Sequence, residues 1–270
     1  IWNEGEVSKV RIISPLTHNN NQDQLFLGLE YKMESGWKTY WQSPGDGGFA
    51  QSLDWKNSTN VENVKIQWPS PKEFEILGLT SIGYEEEVIF PVSIKLKDKN
   101  KITNLDFFIN YLVCKDICIP GTARVFLDIP SGIANTTEYF YVLEKTISNL
   151  PQTKIELSSI TKFKTKAIKD DDNILIEISA TTNEKFQSPK IYLHTPYGLP
   201  ISNPLINYSL DYKTLTALFK FNKKLFNNNQ IPLEAILIDE NHNFSFNEKI
   251  KIEESKKFNF SKISHFYFIF

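Results

Sequence analysis

The chain is dominated by short segments in which apolar and polar residues alternate, separated by clusters of turn residues. Alternation with a period of two is the pattern of a β-strand that buries one of its faces. The proline- and glycine-rich residues 43–48 predict a loop. Before residue 130 the alternating pattern occurs at 6–13, 24–31, 61–68, 88–96, 102–113 and 123–129. Short strands at this spacing predict a β-sandwich.

A helical pattern and a second strand-rich region follow residue 130. Residues 135–150 are the best helix candidate, because apolar residues recur at a spacing of four and Thr136 or Thr137 can cap the first turn. Pro151 ends this helix. Alternating segments then recur at 163–169, 174–180, 190–194, 215–221, 234–239 and 244–252. We therefore expect a mostly β protein with β-sandwich domains at 1–130 and 152–256, a helical linker at 131–151 and a tail at 257–270.

The charge balance argues against nucleic acid as a partner. The chain has 30 basic and 32 acidic residues, for a formal net charge of −2, so it offers no basic field for a phosphate backbone. The first residue, Ile1, is compatible with a removed export signal and equally with a shortened chain.

The tail carries a possible membrane signal. Residues 265–270 are an apolar run rich in aromatic side chains, and lysines precede it. Such a run fits either a C-terminal strand or the interfacial start of a membrane segment, where aromatic residues are enriched.

Two cysteines, Cys114 and Cys118, are the only thiols of the chain. A disulfide needs Cα atoms about 4.4–6.8 Å apart, whereas four residues of extended strand span about 13 Å. The chain must therefore turn at 115–117 if the two residues bond. A bond that closes so short a loop stabilises the fold little, which favours reversible chemistry. Lys115 would promote the reactive thiolate and Asp116 would oppose it, and we expect Pro120 to stop the next segment from joining a central ladder early.

Other interpretations of the pair remain open at this stage. It can be a structural disulfide, two buried free thiols or a copper(I) site, because copper(I) accepts two soft thiolates. A zinc site is disfavoured, since it needs two further ligands and the four histidines are scattered. A non-catalytic β-sandwich binding module is a further alternative, with tryptophan rings as stacking platforms. The candidate platforms are Trp37, Trp41, Trp55 and Trp68.

Three segments read together sharpen the interpretation. They are GWKTYWQSPGD at 36–46, FEILG at 74–78 with GY and FPV shortly after it, and YLVCKDICIP at 111–120. In this order they resemble the N-terminal periplasmic region of the DsbD family of protein-disulfide reductases. The CxxxC spacing is shorter than in the best-known branch and is similar to that of the ScsB-like branch, which is associated with copper tolerance. The specific likeness covers about residues 20–130.

The resemblance implies a fold and an activity. It implies two immunoglobulin-like β-sandwich domains, the first carrying two redox cysteines under a cap loop, and no cofactor. The cysteines would accept electrons from a membrane domain of the same polypeptide and pass them to thioredoxin-like or other periplasmic redox proteins. The domain would lie in the periplasm, tethered to the inner membrane by sequence beyond the C-terminus.

The resemblance also implies roles for individual residues. Cys118 matches the attacking thiol and Cys114 its resolving partner. Tyr40 matches an aromatic residue near the pair, and Glu75 matches an acidic residue beside it. Two residues, Ile76 and Leu77, stand where the best-known branch has aromatic cap residues.

Overall fold

The computed structural model describes residues 1–153, 159–194, 204–226, 228–240 and 242–254. The chain divides into two compact units, the first spanning Ile1–Gln152 and the second beginning at Thr153. The tail predicted at 257–270 lies outside the described residues. No helix in the described ranges is long and apolar enough to cross a bilayer.

The first unit, described throughout, has eleven strands and one helix. The strands are β1 (Asn3–Glu4), β2 (Ser8–Ile13), β3 (Gln24–Met33), β4 (Lys38–Gly45), β5 (Ser52–Asp54), β6 (Val61–Ile66), β7 (Lys72–Ile76), β8 (Leu79–Glu85), β9 (Glu87–Leu96), β10 (Thr103–Cys114) and β11 (Cys118–Ile129), and the helix is α1 (Phe140–Ser148). One sheet has the order β1-β2-β3-β9-β6 and the other the order β11-β10-β4-β8-β7, with β5 also paired to β10. The mostly β class predicted from alternation is confirmed.

The interior of the first unit is rich in aromatic side chains. Phe107 and Tyr111, on alternate positions of β10, are fully buried. The Tyr111 ring meets Tyr31 of the opposite sheet edge-on, with centroids 5.3 Å apart, and Tyr31 meets Phe90 in the same way at 5.4 Å. Such edge-to-face contacts add to the free energy gained by burying the rings. The odd-numbered residues of β10 therefore face the main core.

The outer face of β10 changes character along the strand. Phe108 and Asn110 are exposed, as expected for the even-numbered positions of a sheet with one buried face. Leu112 and Cys114, further along the same face, are buried instead. Something must cover the outer face at this end of the sheet, and the cover belongs to the candidate site described below.

The second unit has seven strands within its described residues. They are β12 (Ile160–Asp170), β13 (Asn173–Thr182), β14 (Lys190–His194), β15 (Leu205–Tyr208), β16 (Thr214–Asn222), β17 (Gln230–Asp239) and β18 (His242–Glu254), with a 3-10 turn at Lys223–Leu225. They form one hydrogen-bonded path, β14-β17-β18-β12-β13-β16-β15. Within this path β14, β17 and β18 form one antiparallel part, and β12, β13, β16 and β15 form the other. The two parts join where β12 pairs in parallel with β18 over Ala167–Lys169. All six alternating segments predicted in this region are strands.

The helix is shorter than predicted and begins later. Residue 139 is its N-cap and makes no side-chain capping bond, so the prediction of a cap at Thr136 or Thr137 was wrong. The Thr137 hydroxyl donates to the Ser14 carbonyl, and the Thr137 amide donates to the Pro15 carbonyl. Pairing with this earlier segment holds the chain in a non-helical path. Leu143 then packs against Gly28 of β3, so the helix lies on the first unit.

Two local predictions near the cysteines were also wrong. The predicted loop at 43–48 begins later, because β4 continues to Gly45, which pairs with Ser81 after a register irregularity. Pro120 does not delay the next strand, since β11 starts at Cys118 and Pro120 pairs with Leu112. Proline is tolerated there because β11 is an edge strand, where the missing N–H breaks no ladder.

Candidate active site

The β10–β11 hairpin brings the two cysteines together. Cys114 ends β10, Cys118 begins β11, and the two are register partners with Cα atoms 4.1 Å apart and a disulfide between them. The three-residue connection is closed by a hydrogen bond of 3.0 Å from the Lys115 amide to the Ile117 carbonyl. A short hairpin loop thus supplies the bend that a disulfide over this spacing requires.

The two sulfur-bearing residues lie in different environments. Cys114 is 0% exposed, because its strand lies between β11 and β4 and its side chain is covered on the outer face. Cys118 is exposed, since β11 is the edge of the sheet. An incoming thiol can therefore approach Cys118 and cannot reach Cys114 without a structural opening.

Tyr40 places a hydroxyl group on the buried sulfur. Strand β4 pairs with β10 through Thr39 and Val113, and the Thr39 hydroxyl donates to the Leu112 carbonyl at 3.0 Å. The Tyr40 hydroxyl then donates to Sγ of Cys114 at 3.0 Å and lies 3.9 Å from Sγ of Cys118. Burial raises the pKa of the Tyr40 phenol, and the neighbouring Ser81 hydroxyl acts in the opposite direction. The phenol therefore stays protonated and remains a donor at neutral pH.

A small apolar cluster surrounds this contact on the outer face of the sheet. Ile76 and Leu112 are buried with Tyr40 and Cys114, and Phe74 packs against the group. Because alternate residues of a strand point to one face, Phe74 and Ile76 of β7 both face the cluster. This cluster is the cover that buries the last residues of β10.

The remaining predicted residues of β7 and its turn point elsewhere. Glu75 is exposed, and alternation directs its side chain to the face opposite Phe74 and Ile76. Leu77 lies in the turn between β7 and β8, with a φ of 52°, and is 68% exposed. Of the residues predicted in this segment, the structure brings only Ile76 to the cysteine pair.

A comparison with protein families identifies the first unit. The family described as thiol:disulfide interchange protein DsbD, N-terminal, matches residues 9–130. Over these residues the chain is similar to the DsbD N-terminal family. The match covers most of the first unit and includes Tyr40 and both cysteines.

Solved structures extend the comparison of the fold. The N-terminal periplasmic domain of ScsB from Proteus mirabilis has a TM-score of 0.69 and 21% sequence identity, over 93% of this chain and 97% of that chain. This agreement confirms the predicted class of two immunoglobulin-like β-sandwich domains. Bovine butyrophilin aligns over 90% of this chain and 99% of that chain with 10% identity, and its TM-score of 0.24 is too low to indicate a shared fold. No curated protein sequence matches the chain.

Two lysines of the first unit lie near the pair, and each has an oxygen partner. The Lys115 ammonium donates to the Ser35 carbonyl at 3.2 Å. Lys38 is the register partner of Cys114, and its ammonium lies 3.1 Å from Glu85. Asp116 is exposed. Lys38 was not predicted, and its position two residues before Tyr40 in an alternating strand was the signal that could have placed it on this face.

The structure bears on two alternative interpretations of the sequence, a metal site and a binding module with tryptophan platforms. Within the described ranges, no three histidine, cysteine or acidic residues are grouped so that they could hold a metal ion. Trp41 is 1% exposed, so it cannot act as a stacking platform. The Trp68 ring contacts Phe90 edge-on, with centroids 5.2 Å apart. Copper(I) binding by the two reduced thiols stays a prediction.

Proposed function

We propose that the first unit is the periplasmic thiol–disulfide exchange domain of a protein-disulfide reductase. It receives electrons from a membrane domain and passes them to oxidised periplasmic proteins, thioredoxin-like proteins among them. The observation that supports this is the asymmetry of the pair: Cys118 is exposed, whereas Cys114 is buried with the Tyr40 hydroxyl 3.0 Å from its sulfur.

Reduction of the domain begins at the exposed sulfur. A thiolate of the electron donor attacks Sγ of Cys118, a mixed disulfide forms, and the Cys114–Cys118 bond breaks. The electron pair of that bond moves to Sγ of Cys114, which leaves as a thiolate and accepts the hydrogen bond from Tyr40. The donor's second thiolate then attacks the donor sulfur that is bonded to Cys118, and Cys118 is released as a thiolate. The donor becomes a disulfide, and the domain holds two reduced cysteines.

Delivery to a partner runs through the same atoms in reverse. The Cys118 thiolate attacks the disulfide of the oxidised partner, and one partner sulfur leaves as a thiolate. Cys114 then attacks Sγ of Cys118 in the mixed disulfide, the partner leaves with both sulfurs reduced, and the intramolecular bond forms again. Cys114 needs no exposure in either direction, because it reacts only with its own neighbour.

Exposed apolar side chains on the hairpin loop of the pair and in the turn next to the apolar cluster suit a protein partner. Ile117 directly precedes Cys118 and is 61% exposed. Leu77 and Leu79 are exposed at the end of β7 and the start of β8, next to Ile76 of the cluster. Apolar residues grouped around a reactive group are typical of interaction surfaces. A docking partner would cover them as it brings its own sulfur to Cys118.

Single-cysteine variants test the proposal. We expect the Cys114→Ala variant to form a stable mixed disulfide with a thioredoxin-like protein that lacks its second cysteine and carries the first as a mixed disulfide with glutathione. Its exposed Cys118 attacks the protein sulfur, glutathione leaves as a thiolate, and neither protein has a second thiol to resolve the adduct. The Cys118→Ala variant should react at least about tenfold more slowly, since its thiol is buried. The measurement is the rate of adduct formation, followed by mass spectrometry, with thermal unfolding as the check on folding.

Two outcomes would contradict the proposal. Equal rates for the two variants would show that exposure does not assign the attacking sulfur. Loss of the fold in both variants would show that the bond is structural, because a working redox pair must be stable without it.

A further inference from the structure

Gly48 lies against the Tyr40 ring. It belongs to the connection between β4 and β5, and its φ of +93° is in the left-handed region that favours glycine. A Cβ built at Gly48 would lie within 3.0 Å of three atoms of the Tyr40 ring, a distance that side chains essentially never show. Gly48 therefore has two independent reasons to be glycine, one in its backbone and one in its contact.

Gly78 has the backbone reason to be glycine but not the contact reason. Its φ is +76°, and a Cβ added there would meet nothing within 4 Å. A substitution at Gly78 carries the backbone cost alone, so the chain offers its own control for the contact at Gly48.

Tyr40 is approached by glycines from two directions. On the strand side its register partner is Gly83 of β8, where a Cβ would collide with the Thr39 carbonyl. On the loop side Gly48 rests on the ring itself. The ring is 2% exposed, and its hydroxyl reaches the buried sulfur of Cys114. Gly83 thus lets β8 lie close against the backbone of Tyr40, and Gly48 supports the ring in the position from which that hydrogen bond is made.

We propose that Gly48 is a positioning residue that acts through Tyr40 on the leaving sulfur of the exchange reaction. The inference rests on the proposed function, in which Cys114 leaves when a thiolate attacks Cys118. A thiolate is a stronger hydrogen-bond acceptor than a disulfide sulfur, because its bond to the phenol is charge-assisted. The hydroxyl therefore stabilises the leaving thiolate, and a better-stabilised thiolate leaves faster.

A larger residue at position 48 must break this arrangement. Either the Tyr40 ring moves away from the sulfur, or the loop lifts off the ring and leaves it without its support. Both responses weaken the hydrogen bond to Cys114. Cys118, where the incoming thiolate attacks, is exposed already, so lifting the loop gives that thiolate no easier approach.

The test compares rates of reduction by dithiothreitol, followed by mass spectrometry of quenched samples. We expect Gly48→Ala to slow reduction about three- to tenfold, and Gly78→Ala to leave the rate unchanged. Tyr40→Phe should slow it by a similar factor. Adding Gly48→Ala to Tyr40→Phe should cause no further slowing, because the two residues then form one coupled unit.

The outcomes separate this inference from the proposed function. A wild-type disulfide that resists dithiothreitol overturns both. A wild type that reacts, with Gly48→Ala equal to Gly78→Ala, overturns the role of Gly48 alone. The role of Gly48 is also overturned if Gly48→Ala slows reduction of the Tyr40→Phe protein by the same factor as it slows reduction of the wild type.

A space-exchange variant covers the case in which Gly48→Ala does not fold. Combining it with Tyr40→Leu removes the ring atoms that the new Cβ would meet. Recovery of the fold in this double variant would show that the contact with Tyr40 is what requires glycine. Failure to recover would show that Gly48 serves the loop, and the inference would fall.

Discussion

The two faces of β10 do different work, although they belong to one strand. The inner face, with Phe107 and Tyr111, is buried along its whole length in the aromatic interior. The outer face is exposed at Phe108 and becomes buried only at Leu112 and Cys114. Inner positions hold the sandwich together, and the covered end of the outer face holds the disulfide. The alternation of a strand is thus enough to place stability and chemistry one residue apart.

The largest expected difference between the two faces is in the free energy of unfolding after substitution of the neighbouring residues Phe107 and Phe108. We expect Phe107→Ala to lower the free energy of unfolding by about 3–5 kcal/mol, because it opens a cavity in a fully buried core. Phe108→Ala, one residue along on the exposed face, should change it by less than about 1 kcal/mol. Urea unfolding of both variants measures the difference.

The rate of thiol–disulfide exchange should be insensitive to both changes. Under conditions where both variants are folded, their rates of reduction by dithiothreitol should match the wild type. Similar losses of stability at the two positions would mean that the faces of β10 are not distinct. A large rate change in folded Phe107→Ala would mean that core packing reaches the sulfurs.

A smaller effect is expected from the outer cluster. Tyr40→Phe keeps the ring and removes the hydroxyl that reaches Cys114, so reduction should slow about three- to tenfold. The ratio of wild-type to variant rates should stay constant from pH 7 to 9, because burial raises the pKa of the phenol above its usual value of about 10. The use of a ratio removes the ionisation of dithiothreitol itself.

The sign of the stability effect follows from the same shift. A phenol whose pKa is raised in the folded state contributes stability that is fully present below about pH 10 and is lost as the pH rises through the folded-state value. Tyr40→Phe should therefore reduce the loss of stability above pH 10. A ratio of rates that falls between pH 7 and 9 would show that the hydroxyl ionises early and would remove its proposed role.

Alternation predicted two neighbouring strands of this sheet, β10 and β11, but not its other strands or what covers its outer face. The patterns at 102–113 and 123–129 lie within β10 and β11, and the required bend between the cysteines is their hairpin loop. β7 and β8 were missed because their turn uses Leu77 at a positive φ before Gly78, where the usual hairpin signal is asparagine or aspartate before glycine. The contact of Gly48 with Tyr40 joins residues eight apart through a loop, and no periodicity reports such a contact.

The smallest expected effect lies on the outer face away from the cluster. Asp106 of β10 accepts two hydrogen bonds from Arg124 of β11, at 2.9 and 2.6 Å, and these hold the pKa of its carboxyl below the usual range. Because the Arg124 partner is exposed, Asp106→Asn should cost less than about 1 kcal/mol of unfolding free energy at pH 7. A depressed pKa contributes stability that is present above about pH 3.9 and is lost as the pH falls through the folded-state value.

The wild type and Asp106→Asn should therefore converge in acid, and their rates of disulfide reduction should agree at neutral pH. The second expectation decides the comparison. If replacing this distant surface carboxylate changes exchange at Cys118, the outer face of the sheet acts as one electrostatic surface. If the rate does not change, the exchange chemistry is confined to the few residues that cover the end of β10. Residues elsewhere on the outer face then have no role in exchange.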